Sequence, residues 1–193
     1  MGLEKSRSSA SSASGFSLVE VLIATLILAT ALVSLAQLFA MSTRSNMGAR
    51  NTTYTAVLAQ QKLEELRSLT WGFDIQGLPI SDTTTNTAVS PETPAGGTGL
   101  APSPAGTLGA NTDGYVDYVG QFGDKLGGGA VPPAGTVYVR RWSVEPLPSN
   151  PNNTLVLQVL VFRNRDRGAA DNGAGTVMPE EARLVTVKTR KSI

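Results

Sequence analysis

The chain changes character along its length. From Phe16 to Met41 it is apolar at nearly every position, interrupted by Glu20 and by the uncharged Ser17, Thr25, Thr30, Ser34 and Gln37. No glycine or proline falls between Phe16 and Ala40. As a helix, Val21 to Met41 would span about 30 Å, enough to cross a hydrocarbon core. From Met47 to Leu69 the pattern becomes amphipathic. At 100° per residue, Leu58, Leu63, Leu66 and Leu69 fall within about 140° of arc, a stripe wide enough to face a domain. Lys62 lies inside that stripe and is expected to snorkel out of it. One helix from Phe16 to about Leu69, roughly 80 Å long, is the expectation.

Beyond it the periodicity is lost. Residues 71–114 are rich in proline, glycine and threonine and nearly free of charge, which predicts a long loop. Strand patterns then follow in 115–193. A short one is expected around Tyr115–Val119. Thr136–Pro146 alternates, with Tyr138, Arg140, Trp142 and Val144 on one face. Thr154–Arg163 is apolar on both faces apart from Gln158, as in a strand covered on each side. Ala182–Thr189 alternates again, and "PLPSNPNN" reads as a turn between the second and third strands. The predicted fold class is α+β: a long N-terminal helix, apolar then amphipathic, the amphipathic half packed on a small antiparallel sheet of three or four strands as a roll.

Composition narrows the chemistry. Sixteen Lys and Arg against fifteen Asp and Glu leave a net charge of +1, which gives no support for a nucleic-acid partner without excluding one. The chain has no cysteine and no histidine. That closes disulfide frameworks, thiol nucleophiles, Ser-His-Asp arrangements and most zinc sites. No catalytic residues, metal or cofactor are assigned, and the expectation is that the protein is not an enzyme. The apolar run is too long for the roughly 7–15-residue core of a secretory signal, so it reads as a single membrane span. Lys5 and Arg7 before it and Arg44 and Arg50 after it leave orientation undecided by charge.

Glu20 is then the informative residue, because a carboxylate in such a run is costly and tends to be functional. The sequence around it, "GFSLVE" from Gly15 to Glu20, stands directly before the apolar run and behind a short basic leader. It resembles the processing site of type IV pilin-like proteins. The resemblance implies cleavage between Gly15 and Phe16 by a prepilin peptidase, N-methylation of Phe16, and a leader of residues 1–15. It also implies that Phe16 and Glu20 act in subunit assembly, Glu20 neutralising the terminal amine of a neighbouring subunit. Residues 16–41 would be the transmembrane and filament-core half of the helix, 42–70 its amphipathic half, 71–114 the loop and 115–193 the sheet of a pilin-like roll.

"LAQQKLEELRSLTW" is similar to the helix end of minor pilins of the type IV pilus modification protein group. A helix-kinking proline and a C-terminal cysteine pair, frequent in major pilins, are missing. The implied function is a minor pilin in a pilus or its tip or priming complex. It would begin as a single-pass protein of the bacterial inner membrane with an extracytoplasmic head, and later enter a pilus or periplasmic filament. Its partners would be the prepilin peptidase, the membrane, and other pilins or pseudopilins through the N-terminal helix. The alternatives are a minor pseudopilin of type II secretion and a membrane-anchored binding protein that never polymerises. Two further stretches are weighed and set aside. Asp166, Asp171 and Asn172 offer oxygen atoms for calcium, but their spacing does not fit an EF-hand and a plain hairpin loop is the simpler reading. Arg183, Lys188, Arg190 and Lys191 form a basic end that could touch nucleic acid, but reads more simply as a solvated strand edge.

Overall fold

The computed structural model describes residues 15–171, 178 and 180–191. Residues 1–14, the bulk of the expected leader with Lys5 and Arg7, and Asn172 lie outside the described residues. The chain divides into two compact units, one ending at Asn46 and one running from Met47.

The first unit is the N-terminal part of α1 (Leu18–Ser68), a helix of 51 residues. The Ser17 carbonyl accepts the Val21 N–H, so Ser17 stands at the N-cap. From Leu18 to Met41 every side chain is exposed, apolar ones included. The hydroxyls within the run are satisfied locally. Thr25 donates to the Leu22 carbonyl, Thr30 to Ile27 and Ser34 to Thr30, each at 2.9 Å. A helix that keeps its backbone and hydroxyl bonds to itself is a form that hydrocarbon tolerates. The helix is long and apolar enough to cross a membrane, which is compatible with a single anchor.

The second unit packs the rest of α1 on a sheet. β1 (Trp71–Phe73) and β2 (Pro79–Ser81) form a small antiparallel ribbon. The main sheet comprises β3 (Val116–Val119), β4 (Lys125–Gly128), β5 (Tyr138–Pro146), β6 (Thr154–Arg163) and β7 (Ala182–Thr189). All neighbours are antiparallel, in the order β4-β3-β5-β6-β7. A short helix, α2 (Arg167–Asp171), follows β6. The class is α+β, as the patterning predicts. Leu58, Leu63 and Leu66 of the stripe are buried against Trp142, Val144, Leu155, Leu157, Val159 and Val161. Each such leucine contributes about 1.5–3 kcal/mol relative to an exposed one. The other face of the sheet holds a smaller core of Val116, Tyr118, Val139, Leu160, Phe162 and Met178, backed by Leu108 and Leu126.

Several expectations need correction. The sheet has five strands; β4, with sequence KLGG, carries no apolar alternation and was not predicted. Residues 71–114 are not one structureless loop. They supply β1, β2 and a 3-10 turn at Thr107–Gly109, and they place Ala88, Leu100 and Thr107 in buried positions. Asp82 shapes this segment by accepting from the backbone of Thr84 and Thr85. A side chain at Gly97 would lie 2.2 Å from the Asn86 Cα, so glycine alone fits there. Lys62 does not snorkel: it is wholly buried.

The basic end is not a uniformly solvated edge either. Lys188 donates to the carbonyls of Leu66 (3.3 Å), Arg67 and Leu69 (2.6 Å), the unpaired acceptors at the end of α1. Arg190 lies 3.6 Å over the Trp71 ring and donates to the carbonyls of Asn152, Gly72 and Ile80. Arg183 and Lys191 are exposed.

Candidate functional site

Gly15, Phe16 and Glu20 fall at the start of the first unit. Gly15 and Phe16 precede the helix in irregular backbone, and Phe16 is 83% exposed. A Cβ at Gly15 would meet nothing within 4 Å, so the structure around it imposes no demand for glycine. Glu20 stands in the first turn of α1, exposed, where the helix dipole favours a negative charge. Among the described residues its carboxylate forms no ion pair. Phe16 and Glu20 are thus brought together only by their nearness in sequence, on either side of the N-cap.

The second unit contains a charged cluster that sequence reasoning missed. Lys62 Nζ lies 2.7 Å from Asp117 Oδ2 and 2.9 Å from Glu65 Oε2, and donates to the Thr87 carbonyl at 2.7 Å. It also sits 4.3 Å from the centre of the Trp142 ring. Arg140 grips the same aspartate with two bonds, Nε to Oδ1 at 2.7 Å and Nη2 to Oδ2 at 2.8 Å. Its remaining nitrogen reaches the Leu58 carbonyl and Gln61 Oε1. Lys125 of β4 completes the group, 2.8 Å from Glu65 Oε1.

Burial alone would raise the Asp117 carboxyl; Lys62 and Arg140 outweigh it and hold it below the usual carboxylate range. Burial likewise pushes the Lys62 ammonium down, against the pull of Asp117. Ionic bonds from two cations to one carboxylate fasten α1, β3 and β5 together and fix their register. This is a structural joint. The local signal for it, an aspartate within "YVDYV" and a lysine within the leucine stripe, exists only when both are read together.

Arg141 points to the opposite face of β5 and is equally buried. It donates to Asn111 Oδ1 and the Leu108 carbonyl, contacts Asp171, and covers the Phe162 ring. Asp171 is therefore engaged by Arg141, and Asp166 lies 3.6 Å from Arg165. Among the described residues no group of carboxylates is arranged to hold a metal ion. Comparison of the chain with protein-family models, curated proteins and solved structures finds no match.

Proposed function

We propose that the chain is a minor type IV pilin, a structural subunit made as a membrane-anchored precursor. Prepilin peptidase cuts it between Gly15 and Phe16 and methylates Phe16. The mature subunit then enters a pilus, or the complex that primes one, through its N-terminal helix. The observation that carries this reading is the pairing of an exposed carboxylate, Glu20, in the first turn of α1 with a following run that is exposed and apolar on every side. Such a helix is unsatisfied as a lone element in water. In a bundle of like helices the apolar surface is buried, and Glu20 meets the terminal amine of a neighbour, which also sets their axial stagger. The head domain acts by packing and by presenting its surface, with no reaction of its own.

The test is the intact mass and N-terminal sequence of the protein purified from membranes of cells with and without the peptidase. A chain beginning at methylated Phe16 only when the peptidase is present is the expected result. A chain that keeps Met1 in both would overturn it.

A further inference from the structure

The β3–β4 hairpin turns at residues 120–124, and its tip carries Phe122, 90% exposed. The turn is closed by Gly120 N–H to the Asp124 carbonyl at 2.9 Å and by Gly123 N–H to the Gly120 carbonyl. A Cβ at Gly123 would lie 2.9 Å from the Tyr54 hydroxyl, so the tip rests directly on α1. Gln121, beside Phe122, lines a shallow concavity with Met47, Arg50, Asn51 and Tyr54. Met47 is itself an exposed apolar side chain.

A lone exposed phenylalanine is ordinary. Here it is held on a glycine-bounded turn whose preceding residue, Gln121, shares a concavity with a second exposed apolar residue, an arginine and a tyrosine. Phenylalanine and leucine next to lysine or arginine are what interfacial elements lay into the headgroup boundary of a bilayer, and tyrosine is enriched at the same level. The charge agrees. Between Glu20 and Lys62 the charged residues are Arg44 and Arg50, with no acid. The acids that face this patch from other elements are Asp124 of the same hairpin, which is exposed, and Glu180, which bonds Asn51 and is paired with Arg163 and Arg165. Chain length supplies the last constraint. Met47 follows Met41, the end of the apolar run, by six positions. Fully extended chain covers about 3.5 Å per residue, so Met47 cannot be more than about 20 Å from that end.

We infer that the Phe122 hairpin tip, with Met47 and Arg50, is a seat for the headgroup layer of a phospholipid bilayer containing anionic lipid. The inference rests on the membrane-anchor part of the function proposed above. Phe122 and Met47 enter the boundary of the acyl region while Arg50 meets phosphate. The head of the waiting subunit is thereby held against the membrane surface.

The chain has no cysteine, so single labels are clean. The full-length protein is reconstituted in vesicles of phosphatidylethanolamine and phosphatidylglycerol with a nitroxide at Gln121→Cys, Leu28→Cys or Leu78→Cys, the last on the exposed β1–β2 turn. Depth is read from accessibility to oxygen against a water-soluble nickel chelate. Leu28 is expected in hydrocarbon, Leu78 in water, and Gln121 shielded from the chelate several-fold relative to Leu78. Adding Phe122→Asp to Gln121→Cys is expected to remove that shielding. If Leu28 is in hydrocarbon but Gln121 matches Leu78, the inference fails and the anchor stands. If Leu28 is in water, the anchor reading fails and takes the inference with it. Shielding of Gln121 that grows with the ratio of protein to lipid would identify a second copy as the occupant and overturn the lipid assignment.

Discussion

Lys62 of α1 and Asp117 of β3 meet at 2.7 Å with neither side chain exposed to water. Arg140 holds the other side of the same carboxylate. Breaking a buried ion pair by removing one member typically costs about 3–5 kcal/mol, because the partner is left charged and unpaired. Asp117→Asn takes the only carboxylate from Arg140 among the described residues and leaves Lys62 with Glu65 alone, and is expected at the upper part of that range. Lys62→Met keeps the Arg140 pair and fills the space, so its loss should be clearly smaller. Urea unfolding of the full chain in detergent measures both; equal losses would show that Asp117 is not the hub.

Acid should reveal the same joint. The carboxyl of Asp117 has an ordinary value of 3.8 and lies lower in the folded chain. The folded state therefore binds fewer protons than the unfolded one between those values. The stability from this group is present above about pH 4 and is lost as pH falls through the folded value. Thermal unfolding from pH 6 to pH 2 should show an acid loss in the wild type that is reduced in Asp117→Asn. Parallel curves would remove Asp117 as its source.

At alkaline pH Lys188 gives a second rise of stability with pH, of the same sign. Burial, with Lys191 and Arg67 nearby, pushes it from 10.5 to about 8. Between those values the unfolded chain binds more protons, so this group makes stability rise with pH. Tyr115, Tyr118 and Tyr138 are all raised by burial from 10.0, and they reverse the trend once unfolded tyrosines begin to ionise. The informative window is therefore pH 8 to just below 10. There the wild type should gain on Lys188→Met, which also lacks the cap on the α1 carbonyls. A difference that does not change with pH would count against the shifted lysine.

Arg190 fastens the ribbon of β1 and β2 through the Trp71 face and three carbonyls. Arg190→Lys keeps the charge but not the planar stacking or the forked donors. Both it and Arg190→Ala should raise amide exchange at Trp71–Phe73 and at Pro79–Ser81 (Ile80 and Ser81 carry the readable amides) while leaving β5 and β6 protected. Full rescue by lysine would reduce the contact to simple charge.

Under the pilin reading, Glu20→Gln separates processing from assembly. The variant should still be cut after Gly15, because the change lies beyond the cut, yet be depleted several-fold from sheared filaments. Mass spectrometry of membrane and filament fractions reads both. Normal incorporation of the uncharged variant would deprive Glu20 of its assembly role.

The legible parts of the fold are those in which one segment carries its own answer. Thr154–Arg163 is apolar on both faces and becomes β6 with the same bounds, flanked by β5 and β7. Leu58, Leu63 and Leu66 repeat at helical spacing and are buried. The charged joint was not legible because its parts are remote. Asp117 and Lys62 look solvated until a strand and a helix distant in sequence are laid together. Arg140 falls on the strand face with Tyr138, Trp142 and Val144, but nothing local names its partner, and strand alternation sends the adjacent Arg141 into the other core. β4 failed for another reason: Gly127 and Gly128 erase its pattern, and a Cβ at Gly128 would lie 2.7 Å from the Val116 carbonyl oxygen. For Gly15, Phe16 and Glu20 the sequence motif remains the stronger source, since what they contact would come from other molecules.

The bond from Lys188 to the end of α1 joins residues 122 positions apart at Leu66. A ribosome adding about 5–20 residues per second needs roughly 6–25 seconds to cover that interval. Throughout it the leucine stripe of the helix has no completed sheet to lie on, and β6 has an open edge until β7 arrives. Synthesis that stalls before residue 182 would leave a chain that is already helical but sticky, a natural substrate for holding chaperones and for proteolysis. The final strand of the sheet thus marks the moment at which the nascent head becomes safe from both.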